Sequence, residues 1–244
     1  MRRRSVLAGL AAAPILASLP VRVVAAETLA TSAGDVTITP VKHASLVLGF
    51  GDQVIYVDPS AADFSALPPA TAVLVTHAHG DHFDVPTLET VAGDTAPILT
   101  TEEVLGKLPE ALKARATAIR NGESTTLNGI AIDAVAAYNT TPDRQKYHPQ
   151  GVGNGYVLTL GDKRVYVAGD TEPTPEMLAL KDIAVAFLPC NLPYTMTVEQ
   201  LAEAIKTFRP AVTYPYHYGD TDLSGLPDMV GDASEVRLLD WYAA

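Results

Sequence analysis

Apolar positions along the chain come in short runs set apart by Gly, Asp, Asn and Pro. "DVTITPV" (35–41), "ASLVLGF" (44–50) and "QVIYVD" (53–58) are β-rich runs divided by turn residues such as "GFGDQ", which predicts three strands. "TAVLVT" (71–76) is a continuous apolar strand that runs into "HAHGDH" (77–82). "DVPTLETVAG" (84–93) predicts a helix with Asp84 as its cap and Gly93 near its end. "APILTT" (96–101) reads as a strand, and "EEVLGKLPEALKARA" (102–116) as helix interrupted at Pro109.

The second half repeats this order. "GIAIDAVAAYN" (129–139), "GYVLTLGDKRVYVAGDT" (155–171) and "IAVAFLPC" (183–190) predict strands, the middle one folding back at "GDK". "TPEMLAL" (174–180) and "TVEQLAEAIKTF" (197–208) predict helices. In the latter Val198, Leu201, Ala202 and Ile205 have helical spacing, and Pro210 stops it. "AVTYPYH" (211–217) is a further strand, and "EVRLLDWY" (235–242) closes the chain. Strands in both halves with helices between them predict an α/β fold of two packed sheets with helices outside. No Pro/Ser-rich linker divides it, so a single domain over residues 27–244 is expected.

Residues 1–26 break the pattern. Arg2, Arg3 and Arg4 precede an apolar run from Val6 to Leu19, and "VAA" precedes Glu27. A charged region, an apolar region and a small-residue site predict an export signal cut after Ala26. The run is shorter than the roughly 20 residues that span a bilayer, so no stable membrane insertion is expected after cleavage. "RRSVL" resembles the twin-arginine signal, which implies export of an already folded chain; the Sec route is the alternative. A periplasmic or secreted location follows.

Composition narrows the partners. The 244 residues are 48% hydrophobic and 18% charged, an ordinary balance for a globular core. Losing residues 1–26 removes four arginines and no acids, which takes the net charge from −11 to −15. Such a surface repels polyanions and argues against nucleic acid, whose affinity comes largely from phosphate contacts. The one cysteine, Cys190, forms no internal disulfide and reads as a small buried hydrophobe.

The chemistry is concentrated after Thr76. His77 and His79 lie two apart on extended backbone, so both imidazoles point to one side. Gly80 lets the loop turn, and Asp81 and His82 follow. Imidazoles and carboxylates are ligands for zinc and similar divalent ions. One ion does not readily use all four, whereas two ions about 3.5–4 Å apart share them. His148, Asp170 and His217 fall at strand ends or in adjoining loops, where sites are commonly assembled. Each is a candidate further ligand.

"HAHGDH" followed in order by His, Asp and His resembles the metallo-β-lactamase superfamily. The resemblance runs from about Asp35 to the end of the chain and implies the four-layer αββα sandwich of that superfamily. It implies that His77, His79 and His148 hold one metal, that Asp81, His82 and His217 hold a second, and that Asp170 bridges them. Asp58, in "IYVDPS", resembles the aspartate that steadies the loop behind the ligands. "KHASLVL" and the stretch from "YNTTPDRQKYHPQ" to "TPEM" resemble the branch of ascorbate-6-phosphate lactonases, with N-acyl-phosphatidylethanolamine phospholipase D a more distant relative. The zinc β-lactamases carry a cysteine near the position of Asp170, and this chain does not.

The resemblance implies a hydrolase acting on a small-molecule ester, lactone or phosphodiester. Two divalent ions, zinc or else manganese or iron, would give hydroxide at neutral pH, with Asp81 as the catalytic residue that directs it. β-Lactam hydrolysis and metal binding without turnover are the alternatives. His43, Arg144 and Tyr194 are candidate substrate-binding residues. Lys146 joins Arg144 as a basic group that would attract an anion.

Overall fold

The computed structural model describes residues 26–60 and 62–242. The expected export segment lies outside the described residues except for Ala26. Two seven-stranded mixed sheets are built on one plan. In the first, β1 (Glu27–Thr31), β2 (Gly34–Lys42), β3 (Ser45–Phe50) and β4 (Gln53–Val57) form an antiparallel meander. β5 (Ala72–Leu74), β6 (Ile98–Thr100) and β7 (Ala116–Ala118) then continue in parallel from β4. In the second, β8 (Ser124–Leu127), β9 (Ile130–Ala137), β10 (Gly153–Leu160) and β11 (Lys163–Val167) form the meander. β12 (Ile183–Pro189), β13 (Val212–Tyr216) and β14 (Glu235–Val236) are the parallel continuation.

Parallel neighbours need crossover connections, and helices supply them. α1 (Val85–Ala92) joins β5 to β6, and α2 (Glu102–Lys107) with α3 (Glu110–Lys113) joins β6 to β7. α4 (Pro175–Leu178), α5 (Val198–Phe208) and α6 (Leu226–Val230) make the equivalent links in the second sheet. The caps are local and legible. Asp84 accepts the Thr87 N–H at 2.9 Å, and Thr197 with Gln200 forms a reciprocal capping box on α5.

Alternation along each strand sorts side chains into layers. Leu46, Leu48, Ile55 and Val57 meet Tyr156, Leu158, Val165, Val167 and Phe187 in a core between the sheets. The intervening Val47, Tyr56, Val73 and Val75 face α1, α2 and α3, while Val157, Tyr166, Ala186 and Leu188 face α4, α5 and α6. The result is helix, sheet, sheet, helix, the four-layer sandwich expected.

One segment differs from expectation, and the closing one takes a form that the sequence left open. Residues 102–116 are not one interrupted helix: α2 and α3 are short, and Ala116 already begins β7. Residues 237–242 leave β14 as an irregular tail, whose Trp241 is buried between the sheets. Cys190 is buried and unpaired, as its reading required.

Candidate metal centre

The two sheets bring one set of strand ends together. Asp58 follows β4, the 76–82 loop follows β5, Asp170 follows β11 and His217 follows β13. His43 precedes β3, and His148 precedes β10, both strands running the opposite way to those neighbours. All six histidines of the chain therefore meet at one edge of the sandwich. Three positions there hold left-handed backbone without glycine: His43 (φ 55°), Asp58 (φ 47°) and His217 (φ 50°). Such strain persists only where surrounding contacts fix it and is concentrated at functional sites.

Two groups of ligand atoms form around Asp170. In the first, His77 Nε2 lies 3.1 Å from His79 Nδ1, and His148 Nε2 lies 3.2 Å from the same atom. Asp170 Oδ2 completes this group at 3.2 Å from His148 Nε2 and 3.9 Å from His77 Nε2. In the second, His217 Nε2 is 3.3 Å from both Asp81 Oδ2 and Asp170 Oδ2, and His82 Nε2 is 3.3 Å from Asp170 Oδ1. Ligand atoms around a four-coordinate ion with bonds of about 2.0–2.1 Å stand about 3.3 Å apart, so the spacing fits a divalent metal.

Neighbouring groups decide which nitrogen each imidazole presents. Asp58 is buried and accepts the Thr76 N–H (2.7 Å), the Thr76 hydroxyl (2.6 Å) and His82 Nδ1–H (2.8 Å). With its proton given to Asp58, Thr76 Oγ1 accepts from His77 Nδ1–H at 3.0 Å. His148 Nδ1–H donates to the Tyr194 carbonyl at 3.0 Å. Each arrangement leaves Nε2 bare and aimed inward, the outer-shell logic of metal-binding histidines. Bare nitrogens converging at 3.1–3.2 Å repel unless a proton or cation lies between them. One proton on His79 Nδ1 cannot serve every pair. His82 Nε2 and Asp170 Oδ1 are buried and face each other at 3.3 Å with no other polar partner, as atoms that share an ion would.

Electrostatics point the same way. Burial would raise Asp170, but the charges of His217 and His82 and hydrogen bonds from His148 and His82 hold it well below the usual carboxylate range. Burial also opposes ionisation of Asp81, yet hydrogen bonds from His217 and His43 keep it ionised far into acid. Burial and neighbouring His82 push His77 well down, and burial with His148 lowers His79, so both are neutral. Burial would lower His82 too, but Asp170 and Asp58 outweigh it and raise it well above its ordinary value. The site demands positive charge at its centre.

A cavity of about 240 Å³ opens beside the first group and is lined by His77, His79, His148 and Asp170 together with Lys146 and Tyr147. Arg144 is not on that wall. Its guanidinium is committed to Glu172 (2.7 Å), the Thr195 carbonyl (2.8 Å) and Gln200 (3.1 Å), where it ties loops together. These contacts give Arg144 an anchoring role beside the substrate role expected of it: Glu172 is buried, and Arg144 is its counter-ion. Tyr194 serves the site through its backbone carbonyl, while its ring is partly exposed and packs edge-on against Tyr147 at 5.1 Å. His43 is inside the cluster, with Nε2 3.1 Å from Asp81 Oδ2 and Nδ1 2.7 Å from the Tyr242 hydroxyl.

Sequence reasoning missed Thr76, Ser60, Glu172 and Tyr242. Ser60 Oγ donates to the Gly80 carbonyl at 2.7 Å and holds the turn of the histidine loop. Thr76 is signalled only by its place between Asp58 and His77. Nothing near Tyr242 in the sequence suggests chemistry.

A two-sheet αββα sandwich with a histidine-aspartate cluster at one edge defines a metallo-β-lactamase-fold protein. The family profile described as "Beta-lactamase superfamily domain" matches residues 49–218, and the chain belongs to that family. It is 31% identical over 208 residues to a UPF0173 metal-dependent hydrolase of Pyrococcus horikoshii, covering 78% of this chain and 90% of the relative. A crystal structure from Parabacteroides distasonis, of a proposed metal-dependent hydrolase, is 43% identical with a TM-score of 0.83, covering 88% of this chain and 98% of that one. A metallo hydrolase from Ignicoccus hospitalis shares the fold, with 24% identity and a TM-score of 0.70 over 84% of this chain and 95% of that one. Family and relatives together place the chain in the metallo-β-lactamase superfamily, among proteins named as metal-dependent hydrolases.

Proposed function

We propose that the protein is a dinuclear enzyme that hydrolyses a small ester, lactone or phosphodiester. The observation that carries this reading is Asp170, a buried carboxylate whose Oδ2 belongs to the His77, His79, His148 group while its Oδ1 faces His82. One ion would be held by His77, His79 and His148, a second by Asp81, His82 and His217, with Asp170 shared. Two such ions supply an activated water near neutral pH and a Lewis acid for the substrate oxygen. A donor set of nitrogen and oxygen with tetrahedral spacing suits zinc and also admits manganese or iron.

The side chains do the rest. The Asp81 side chain is 46% exposed, and its Oδ2 reaches the cluster, so it meets both the cluster and solvent. It accepts a hydrogen bond from the attacking water and fixes its line of approach. The cavity lies below the roughly 300–1,000 Å³ usual for ligand pockets, which favours a small substrate. Lys146 on its wall favours an anionic one. The family name does not decide between ester, phosphodiester and β-lactam, because fold does not fix chemistry.

The test is an activity screen of zinc-loaded protein against p-nitrophenyl acetate, small lactones, bis(p-nitrophenyl) phosphate and a β-lactam. Turnover of one of the first three, lost on chelation and restored by metal, is the expected result. Turnover of the β-lactam alone would replace the proposal with a lactamase. Metal bound without any turnover would make the protein a metal-binding module.

A further inference from the structure

We propose that Tyr242, near the end of the chain, is a positioning residue of the metal centre: its hydroxyl sets the tautomer of His43, and His43 in turn fixes Asp81. This inference rests on the hydrolase reading above. The side chain of Asp81 sits on a surface loop and is about half exposed, so something must hold its orientation. Two imidazole nitrogens reach its Oδ2, His217 Nε2 at 3.3 Å and His43 Nε2 at 3.1 Å. Once His217 Nε2 ligates an ion it has no proton to give. His43 is then the donor that remains.

The tautomer follows from the partners. An ionised carboxylate only accepts, so the His43 nitrogen facing Asp81 carries the proton. With that proton on Nε2, Nδ1 is the nitrogen left to accept from the Tyr242 hydroxyl, 2.7 Å away. That oxygen already accepts the Gly219 N–H at 2.8 Å, and its own proton points to His43. The chain of donors runs Tyr242 to His43 to Asp81.

The backbone makes these groups one unit. The His43 N–H donates to the Trp241 carbonyl at 3.1 Å, and the His43 carbonyl accepts the His217 N–H at 3.0 Å. Tyr218 Oη donates to the Leu239 carbonyl at 3.0 Å and accepts the Trp241 N–H at 3.3 Å. Trp241 is buried between the sheets. The tail is therefore anchored in the core on one side and hydrogen-bonded to the metal centre on the other.

The competing arrangement makes His43 a ligand itself, since its nitrogen also groups with Asp81 and His217. It requires the opposite tautomer, with Nδ1–H donating to Tyr242 and Nε2 on the metal. Imidazole ¹⁵N NMR of the zinc-loaded full chain separates the two. The proposal expects an Nε2–H tautomer at His43 that becomes a tautomer mixture in Tyr242→Phe; an Nδ1–H tautomer with metal-bound Nε2 overturns it. Kinetics with bis(p-nitrophenyl) phosphate give a second readout. Tyr242→Phe lowers kcat about tenfold with KM and zinc content unchanged, the lower range for outer-shell changes. In His43→Gln the amide donates to Asp81 without a tautomer to set, so adding Tyr242→Phe there changes kcat by less than about twofold. An equal tenfold loss in both backgrounds overturns the proposal in favour of simple tail packing. Absence of turnover in the wild type would count against the hydrolase reading, while the tautomer readout would still decide the role of Tyr242.

Discussion

Asp58 never faces the cavity, yet it governs which nitrogen His82 presents. Replacing it with Asn leaves the shape but turns one acceptor oxygen into a donor, which opposes either Thr76 or His82. Asp58→Asn should cost roughly 10–100-fold in metal affinity, measured by chelator competition. Asp81→Ala should abolish turnover while leaving the fold and the His77, His79, His148 group intact; normal kinetics with metal retained would remove Asp81 from the mechanism. His82 also sets a pH dependence. Its raised value in the metal-free protein means its proton stabilises the fold fully below about 6.5, and that contribution is lost as pH rises through the higher folded value. His77 and His79 are lowered, so their effect is confined to pH below about 6.5. Thermal melts of metal-free protein should therefore show Tm falling as pH rises above about 6.5, and metal loading should abolish that fall. At this scale the convergence of "HAHGDH" with the later His148, Asp170 and His217 was legible because candidate ligands must be particular residue types. The anchoring of Arg144 on buried Glu172 was not legible, because a basic residue in a loop looks the same whether it faces solvent or a buried acid. Tyr242 was unreadable because its partners lie about 200 positions away.

The strands carry the candidate ligands at fixed heights, so element packing should be linked to metal affinity. Gly155 in β10 has no room for a side chain: a Cβ there would stand 2.7 Å from the Ala168 carbonyl oxygen and 3.0 Å from that of Val167. Gly155→Ala must push β11 away, and Asp170 rides on the end of β11. The expected cost is about 1–3 kcal/mol of stability in denaturant titration, together with weakened metal binding. Unchanged affinity with a lowered Tm would uncouple strand packing from the site. Element prediction failed in a consistent place. β1, β7, β8 and β14 are the four edge strands of the two sheets, and none was foreseen. Edge strands are short and polar because one side is unpaired and one face is open, as in "STTL" of β8 with alternate positions exposed. The central strands were legible because burial on both faces demands continuous apolar runs. The tail after β14 was missed for another reason: Trp241 fills the core without forming any regular element.

Each half of the molecule is a meander followed by parallel strands, and the halves meet so that their strand ends share one edge. Neither half holds a complete site: His77, His79, Asp81 and His82 come from the first, and His148, Asp170 and His217 from the second. Metal held by this set would bridge the halves, and chelation should lower Tm of the whole molecule in one transition. The proposed export signal belongs to this scale as well. Cells expressing the full chain should yield protein outside the cytoplasm whose N-terminal residue is Glu27, and an uncut cytoplasmic chain would refute that proposal. The central claim is that residues scattered from His77 to His217 hold two cations around one carboxylate. Anomalous diffraction at the zinc edge, on crystals of zinc-loaded protein, tests it most directly. Two peaks flanking the Asp170 carboxylate, one among His77, His79 and His148 and one among Asp81, His82 and His217, are the predicted result. A single peak, or peaks away from Asp170, would contradict it.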